Sequence, residues 1–444
     1  MPPTGTRGRF APFVLGTGLL ALAAAAGLFA AGAAVADEDA RGFAATAGIA
    51  LALGAPLRRV GRAGLEPTRR EALLTVLALW LLAPVVGSIP YATSASMTPL
   101  NALFESMSGF TATGATAIVD FEAVPASVFL WCAFAQWVGG IGILVLFIAV
   151  FPQLAIAGRR VFHTEMPGPT QDRLTPRLRQ TAGIVLGVYV ALTVVCGVAY
   201  LLARMPLFDA VAHALTTVAA AGFSPSARSF EAYHPAVDWV AIVFMTLATQ
   251  STTGYASVDY DQWPDAARAL LVALMAIGGS AGSAAGGVKV ARWLIVAQHT
   301  GREVRRALHP RAVLPIRVGD RVIGEDVLRA VAAFITLYTA LVVFGTLVLA
   351  LTGEDLITAF TASAATVGNV GPGLGVVGPM ASYAELHPLA RALLIFNMYA
   401  GRLEIVTVFV IATPSWWRIP RTLRGGRRGA PDPGRAPAPA ALGS

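Results

Sequence analysis

Charge is what this chain of 444 residues lacks. Only 13% of them are Asp, Glu, Lys or Arg, against about a quarter in an ordinary globular domain. A water-soluble fold of this length needs more charged surface, so that class is excluded. Lysine is nearly absent: Lys289 stands alone, and arginine carries the remaining positive charge. The two cysteines, Cys132 and Cys196, lie inside apolar runs without metal-ligand spacing and read as buried free thiols. There is no HExxH, no GxSxG with triad partners, no Walker-type phosphate loop and no Cys/His cluster. Nothing therefore points to an enzyme or to a cofactor.

Apolar residues are abundant instead. They make up 56% of the chain, with a mean hydropathy of +0.65, and several runs approach the roughly 20 residues that cross a bilayer. The chain reads as an all-α integral membrane protein with about eight full spans, at 10–36, 42–57, 71–91, 125–151, 180–203, 265–298, 326–351 and 388–413. Its net charge of +8 is not a nucleic-acid footprint, because it is distributed by loop. Arginines cluster at 58–70, 159–179, 302–329 and 418–435, whereas the alternate connections carry Asp37–Asp39, Asp120, Glu122, Glu231, Asp238, Asp259–Asp265 and Glu385. Basic loops belong inside, so both termini are expected in the cytoplasm. Ala34-Val35-Ala36 before Asp37 resembles a signal-peptide cleavage site, but the apolar run is long for one and reads as an uncleaved helix. The Arg/Gly/Pro/Ala tail after Trp417 cannot build a core and is expected to be disordered.

Four times the apolar pattern is broken by a short run of small residues closing on glycine. The runs are Thr111-Ala112-Thr113-Gly114, Ala219-Ala220-Ala221-Gly222, Ser251-Thr252-Thr253-Gly254 and Gly368-Asn369-Val370-Gly371. Each follows a segment able to form a half-helix: 100–108, 208–217, 237–248 (less regular) and 356–365. With the charge pattern, all four open outward. Glycine permits φ > 0, so carbonyls there can turn inward and replace the water around a cation. A single such glycine reads as well as helix packing. Four in order suggest one pore, with Thr111, Ala112, Thr113, Gly114, Ala220, Ala221, Gly222, Thr252, Thr253, Gly254, Asn369, Val370 and Gly371 as the ion-binding filter. Because the loops differ, looser potassium/sodium discrimination is expected than in a symmetric channel.

Spacing exposes a defect in the repeat. Gly114 and Gly222 lie 108 residues apart and Gly254 and Gly371 lie 117 apart, which is room for two spans, loops and a half-helix. Gly222 and Gly254 are only 32 apart, so one helical hairpin is missing between the second and third breaks. Segment 237–248 is then either a half-helix or the stub of one span.

A second glycine-rich run, Gly278, Gly279, Ser280, Ala281, Gly282, Ser283, Ala284, Ala285, Gly286, Gly287, interrupts the span 265–298 and closes on Lys289. Irregular backbone at membrane depth survives only inside protein or beside water, so it should lie beneath the filter. Lys289 either reaches the inner interface or holds this run through its freed carbonyls. Arg402 and Glu404 sit inside the last span, where charge is costly and a functional role is the default. A structural pairing of Arg402 with Glu105 or Glu404 is the alternative. His213 is read as a polar contact, not a proton carrier.

The stretches "NALFESMSGFTATGAT" (101–116), "QWVGGIGILVL" (136–146), "PGPTQDRLTPRLRQTA" (167–182), "STTGYASVDYDQWP" (251–264), "IGGSAGSAAGGVKVAR" (277–292), "HPRAVLPIRVG" (309–319), "ATVGNVGPGLG" (365–375) and "GRLEIVTVFVIATPSWWR" (401–418) resemble the Trk/Ktr/HKT superfamily of potassium transporters, specifically the bacterial Trk membrane subunit. The resemblance covers about 70–418. It implies four pseudo-repeated helix–pore loop–helix units around one pore, after two extra helices. The division is 1–70 for the N-terminal helix pair and basic loop, 71–152 for the first unit, 153–248 for the second with a truncated closing helix, 249–300 for the third lacking its first helix, 301–418 for the fourth and 419–444 for the tail. By the same resemblance 278–289 is an intramembrane gate and Arg402 faces the pore below the filter. The transported ion would be potassium, with sodium or rubidium as other candidates. A cytosolic nucleotide-binding regulator and a homodimer in the bacterial cytoplasmic membrane are also implied. The competing expectation is an assembly-defective, non-conducting paralogue or truncated gene product, because the wall lacks two helices.

Overall fold

The computed structural model describes residues 10–61, 69–149, 174–247, 254–280, 285–309, 314–318 and 321–417. Its first helix, α1 (Phe10–Val35), is 26 residues long, or about 39 Å at 1.5 Å per residue, enough to cross a hydrocarbon core. It packs closely on α2 (Arg41–Val60) because both present glycine at the crossing. A Cβ on Gly16 would lie 2.4 Å from the backbone nitrogen of Arg58, so no larger residue fits.

The helix α3 (Arg69–Gly87) continues almost directly into the short α4 (Ile89–Thr93). Next come α5 (Pro99–Phe110), a half-helix, and α6 (Ala126–Ala149). The second unit repeats the plan with the long α7 (Leu174–Leu202), the half-helix α8 (Leu207–Val218) and α9 (Ala236–Leu247). Then follow α10 (Asp265–Ile277), α11 (Val290–Leu308), α12 (Glu325–Leu351), the half-helix α13 (Leu356–Val367), α14 (Pro388–Arg402) and α15 (Ile405–Ala412). Among the described residues the only sheet is the antiparallel pairing of Arg317–Val318 with Arg321–Val322.

Each half-helix is too short to cross a bilayer, and each ends buried. Along α5, every residue from Phe104 to Phe110 is buried, and along α13 every residue from Thr361 to Val367. Apolar clusters knit the units together. Phe104 and Met107 of α5 pack with Leu394 and Met398 of α14, which joins the first unit to the fourth.

Two expected spans prove to be broken. The run 265–298 is not one helix: α10 stops at Ile277, because Gly278 (φ 73°), Gly287 (φ 76°) and Lys289 (φ 71°) all adopt left-handed backbone. The run 388–413 bends by 108° between α14 and α15 at Leu403-Glu404, with Glu404 at φ 64°. The first break falls at the glycine-rich run that interrupts the apolar pattern; the second is concealed by it, since hydropathy does not register backbone handedness.

Helix α9 differs from the three half-helices. One face, with Val237, Ala241 and Phe244, packs against Tyr200 and Cys196 of α7. Trp239, Ile242 and Val243 on the other face are exposed. That burial fits the stub of an outer span. No residue of α10 is buried, and its packing partner is α13.

Candidate ion pathway

Three of the four glycine loops are built on one template. At the end of α5, the N–H of Thr113 donates to Ser108 O (2.9 Å) and that of Ala112 to Gly109 O (2.8 Å). After α8 the equivalent bonds run from Ala221 to Thr216 (3.0 Å) and from Ala220 to Thr217 (3.0 Å). After α13 they run from Val370 to Ala365 (2.8 Å) and from Asn369 to Thr366 (3.3 Å). Each pair is a Schellman cap, which requires a left-handed residue at its apex. Ala112 (φ 49°), Ala220 (φ 57°) and Asn369 (φ 50°) occupy that position. For alanine this conformation costs about 1–2 kcal/mol, which the surrounding packing must offset. Two residues on, Gly114 (φ 82°), Gly222 (φ 68°) and Gly371 (φ 104°) turn the chain outward again, as does Gly254 (φ 75°).

The four loops meet in a ring. A Cβ on Gly114 would lie 2.0 Å from Ala221 O of the second loop. The residue after Gly254, Tyr255, bonds through its hydroxyl to Thr217 Oγ1 (3.1 Å) at the end of α8, linking second and third. A Cβ on Gly254 would lie 2.2 Å from Val370 O of the fourth, and one on Gly371 2.7 Å from Thr113 O of the first. Every side chain larger than hydrogen is thus excluded at three of these contacts by a neighbouring loop's carbonyl. Outside the ring opens a cavity of about 400 Å³, lined by Gly114, Gly222 and Gly254, with Pro372, Tyr383 and Glu385 also on its wall. The C-terminal, electronegative ends of α5, α8 and α13 all lead into the ring, which favours a cation.

Side chains tie neighbouring loops to each other. Asn369 Nδ2 donates to Thr113 Oγ1 (2.9 Å) and to Met398 O (3.1 Å), while Thr113 and Thr111 share a hydroxyl bond of 2.7 Å. The Tyr383 hydroxyl donates to Gly371 O (2.7 Å), and its backbone N–H to Thr116 O (2.9 Å). Tyr383 and Tyr255 were not legible in the sequence, because their hydroxyls reach the ring only through the fold. Thr252 and Thr253 lie outside the described residues.

The glycine-rich run sits directly under the ring. A Cβ on Gly286 would lie 2.0 Å from Gly368 O and 3.0 Å from Cβ of Asn369. Gly278 and Gly279 close the run on itself, with Val290 donating to Gly279 O (3.0 Å). Gly282 and Ser283 lie outside the described residues; Ser280 is placed at the end of its first limb. Lys289 is only 4% exposed, so its side chain does not extend to an inner interface as one expectation had it.

Arg402 is buried at the end of α14. Its Nη2 donates to Gly139 O of α6 (3.1 Å), and its guanidinium lies 6.0 Å from the Trp80 ring centre. The preceding Gly401 abuts Val367 O, so Arg402 lies just below the fourth loop. The two acids considered as its partners are engaged elsewhere. Glu404 pairs with Arg292 of α11 (2.7 Å), which also stacks over Phe334, and Glu105 accepts from Ala117 N–H (2.7 Å). His213 makes polar contacts, as expected, to Asp209 O and Ser224 Oγ.

Half-helices that end in glycine loops and close a ring over an irregular glycine-rich segment define a multi-pass membrane protein of the pore-loop class. The family model described as "Cation transport protein" (TrkH) matches residues 42–249 and 245–418, and the chain belongs to that family. The Trk system potassium uptake protein TrkH of Salmonella typhimurium is 33% identical over 455 positions, covering 86% of this chain and 93% of the relative. TrkG of Escherichia coli, also a Trk system potassium uptake protein, is 30% identical over 425 positions, covering 80% and 87%. The crystal structure of the potassium transporter TrkH from Vibrio parahaemolyticus matches with a TM-score of 0.79 at 30% identity, covering 92% of this chain and 99% of that one. The Salmonella alignment uses 86% of 444 residues, about 382, so about 70 of its 455 positions have no counterpart here. The two family matches meet at 245–249, the point where the glycine spacing lacks two spans.

Proposed function

We propose that this protein conducts potassium into the cell through the ring of four glycine loops. The observation that carries the reading is the closure of that ring: at three junctions a neighbouring loop's carbonyl oxygen occupies the space a side chain would need, and Tyr255 ties the third loop to the half-helix of the second. A cation stripped of water regains oxygen ligands there. The ligands are main-chain oxygens of Thr111–Gly114, Ala220–Gly222, Thr252–Gly254 and Asn369–Gly371. The run 278–289 gates the path beneath them, and Arg402 below the ring repels cations and limits flux.

Downhill entry needs no proton carrier. A membrane potential of 100 mV, negative inside, supplies about 2.3 kcal/mol per monovalent ion, and supports close to fiftyfold accumulation at about 1.4 kcal/mol per tenfold. The protein is placed in the bacterial cytoplasmic membrane with both termini inside, as the alternation of arginine-rich and acidic loops requires. Arginine-rich inner loops offer a docking surface for a cytosolic nucleotide-binding regulator, and the working form is a homodimer. Rubidium or potassium uptake into vesicles containing the purified protein tests the reading. Growth of a potassium-uptake-deficient bacterium at low external potassium tests it in cells. Folded protein that passes no ion in either assay would refute it.

A further inference from the structure

The half-helices do more than aim their ends at the ring. In each of the three units whose glycine loop is fully described, a polar side chain on the half-helix, nine or ten residues before the glycine, bonds to the limb two or three residues after it. Glu105 Oε2 accepts from Ala117 N–H (2.7 Å) and from the Thr116 hydroxyl (3.1 Å). His213 Nε2 meets Ser224 Oγ (3.0 Å). Thr361 Oγ1 accepts from Leu374 N–H (2.9 Å). Glu105 and His213 stand at the same offset from Gly114 and Gly222, and Thr116 and Ser224 likewise. The chemistry differs while the geometry repeats.

Histidine can play this part because its other nitrogen is fixed. Nδ1 lies 2.7 Å from Asp209 O, a carbonyl that can only accept, so Nδ1 carries hydrogen and Nε2 can receive the Ser224 hydroxyl proton. Glu105 takes both bonds to the limb on one oxygen, while Cys132 Sγ donates to the other (3.7 Å). The fourth unit uses threonine one position earlier, since Ala362 occupies the Glu105 offset.

We propose that Glu105, His213 and Thr361 are positioning residues that set how strictly the ring discriminates between monovalent cations. The proposal rests on the filter reading. The Schellman cap pins the inner end of each loop, and the brace pins the outer limb. Four residues held at both ends cannot contract around a smaller ion; released at one end, they can. Glu105 has the largest effect, because without it two donors of the limb, the Ala117 N–H and the Thr116 hydroxyl, lose their acceptor.

The test uses full-length protein in vesicles, with rubidium uptake measured under a fixed potential and with sodium as competitor. Glu105→Ala and Thr361→Val each lower rubidium-over-sodium discrimination by about fivefold or more. Glu105→Gln restores most of it, since one amide oxygen can accept both bonds; a purely structural loss of charge would not be rescued in this way. Should Glu105→Ala fail to fold, the near-isosteric Thr361→Val and the smaller Ser224→Ala carry the test. Unchanged discrimination in the folded brace variants, alongside lost discrimination in Gly114→Ala, overturns the brace and leaves the filter intact. Unchanged discrimination in Gly114→Ala as well refutes the filter reading itself.

Discussion

Gly114→Ala is the smallest perturbation that tests the ring. The added methyl would lie 2.0 Å from Ala221 O and 3.1 Å from its carbonyl carbon, and both belong to backbone that cannot rotate away. One of the two loops must therefore move by more than an ångström. The φ of 82° adds a second cost. Left-handed backbone with a Cβ costs about 1–2 kcal/mol and overpacking about 1–3 kcal/mol, together about 2–5 kcal/mol. At about 1.4 kcal/mol per tenfold, the native ring is depopulated by about 30-fold to several thousandfold. Rubidium uptake into vesicles, normalised to folded protein, should fall by that factor, or persist only with discrimination against sodium lost. Gly27→Ala and Gly32→Ala are the matched controls, because a Cβ at either meets nothing within 4 Å. Wild-type uptake and discrimination in folded Gly114→Ala would refute the argument that these carbonyls form the ion path.

Gly286→Ala places a methyl 2.0 Å from Gly368 O, and should displace the glycine-rich run from beneath the ring, raising uptake under conditions where the wild type is closed; unaltered uptake would deny that run a gating role. Arg402→Gln removes a buried cation, and if it limits flux as proposed, rubidium uptake should rise severalfold, with the increase larger at low ionic strength. Asp355 caps α13 by accepting from the N–H groups of Ile357 and Thr358. The Thr358 side chain first, and those backbone bonds after it, hold its carboxyl below the ordinary value of 3.8. The capped form is thus favoured above that ordinary value, and its contribution is lost as pH falls through the depressed one. Asp355→Ala should lower stability by about 1 kcal/mol at neutral pH, read as thermal unfolding in detergent, and the difference should shrink in strong acid.

Glycines with forced handedness were legible from the chain alone, because Gly114, Gly222, Gly254 and Gly371 each close a short polar or small-residue break in an apolar run. The spans were legible for the same elementary reason: a bilayer demands length and apolarity, and α1, α2, α7 and α12 supply both. The bend at Glu404 was not, since Ile405–Ala412 is as apolar as any straight span. Nor was the brace from Glu105 to Ala117, a contact across a loop that must first double back. Nor does the sequence show that Lys289 is buried.

By itself the sequence determined that this is a membrane protein with four glycine breaks, the second and third set too close for a complete repeat. Tertiary structure alone decided that the breaks close one ring, that Glu404 answers Arg292 while Arg402 leans on Gly139, and that half-helix side chains hold the loops from behind. The physical reason is range. Hydropathy and backbone handedness are local properties that each residue type carries with it, whereas a hydrogen bond between Asn369 and Thr113 exists only once 256 residues of chain have been folded back.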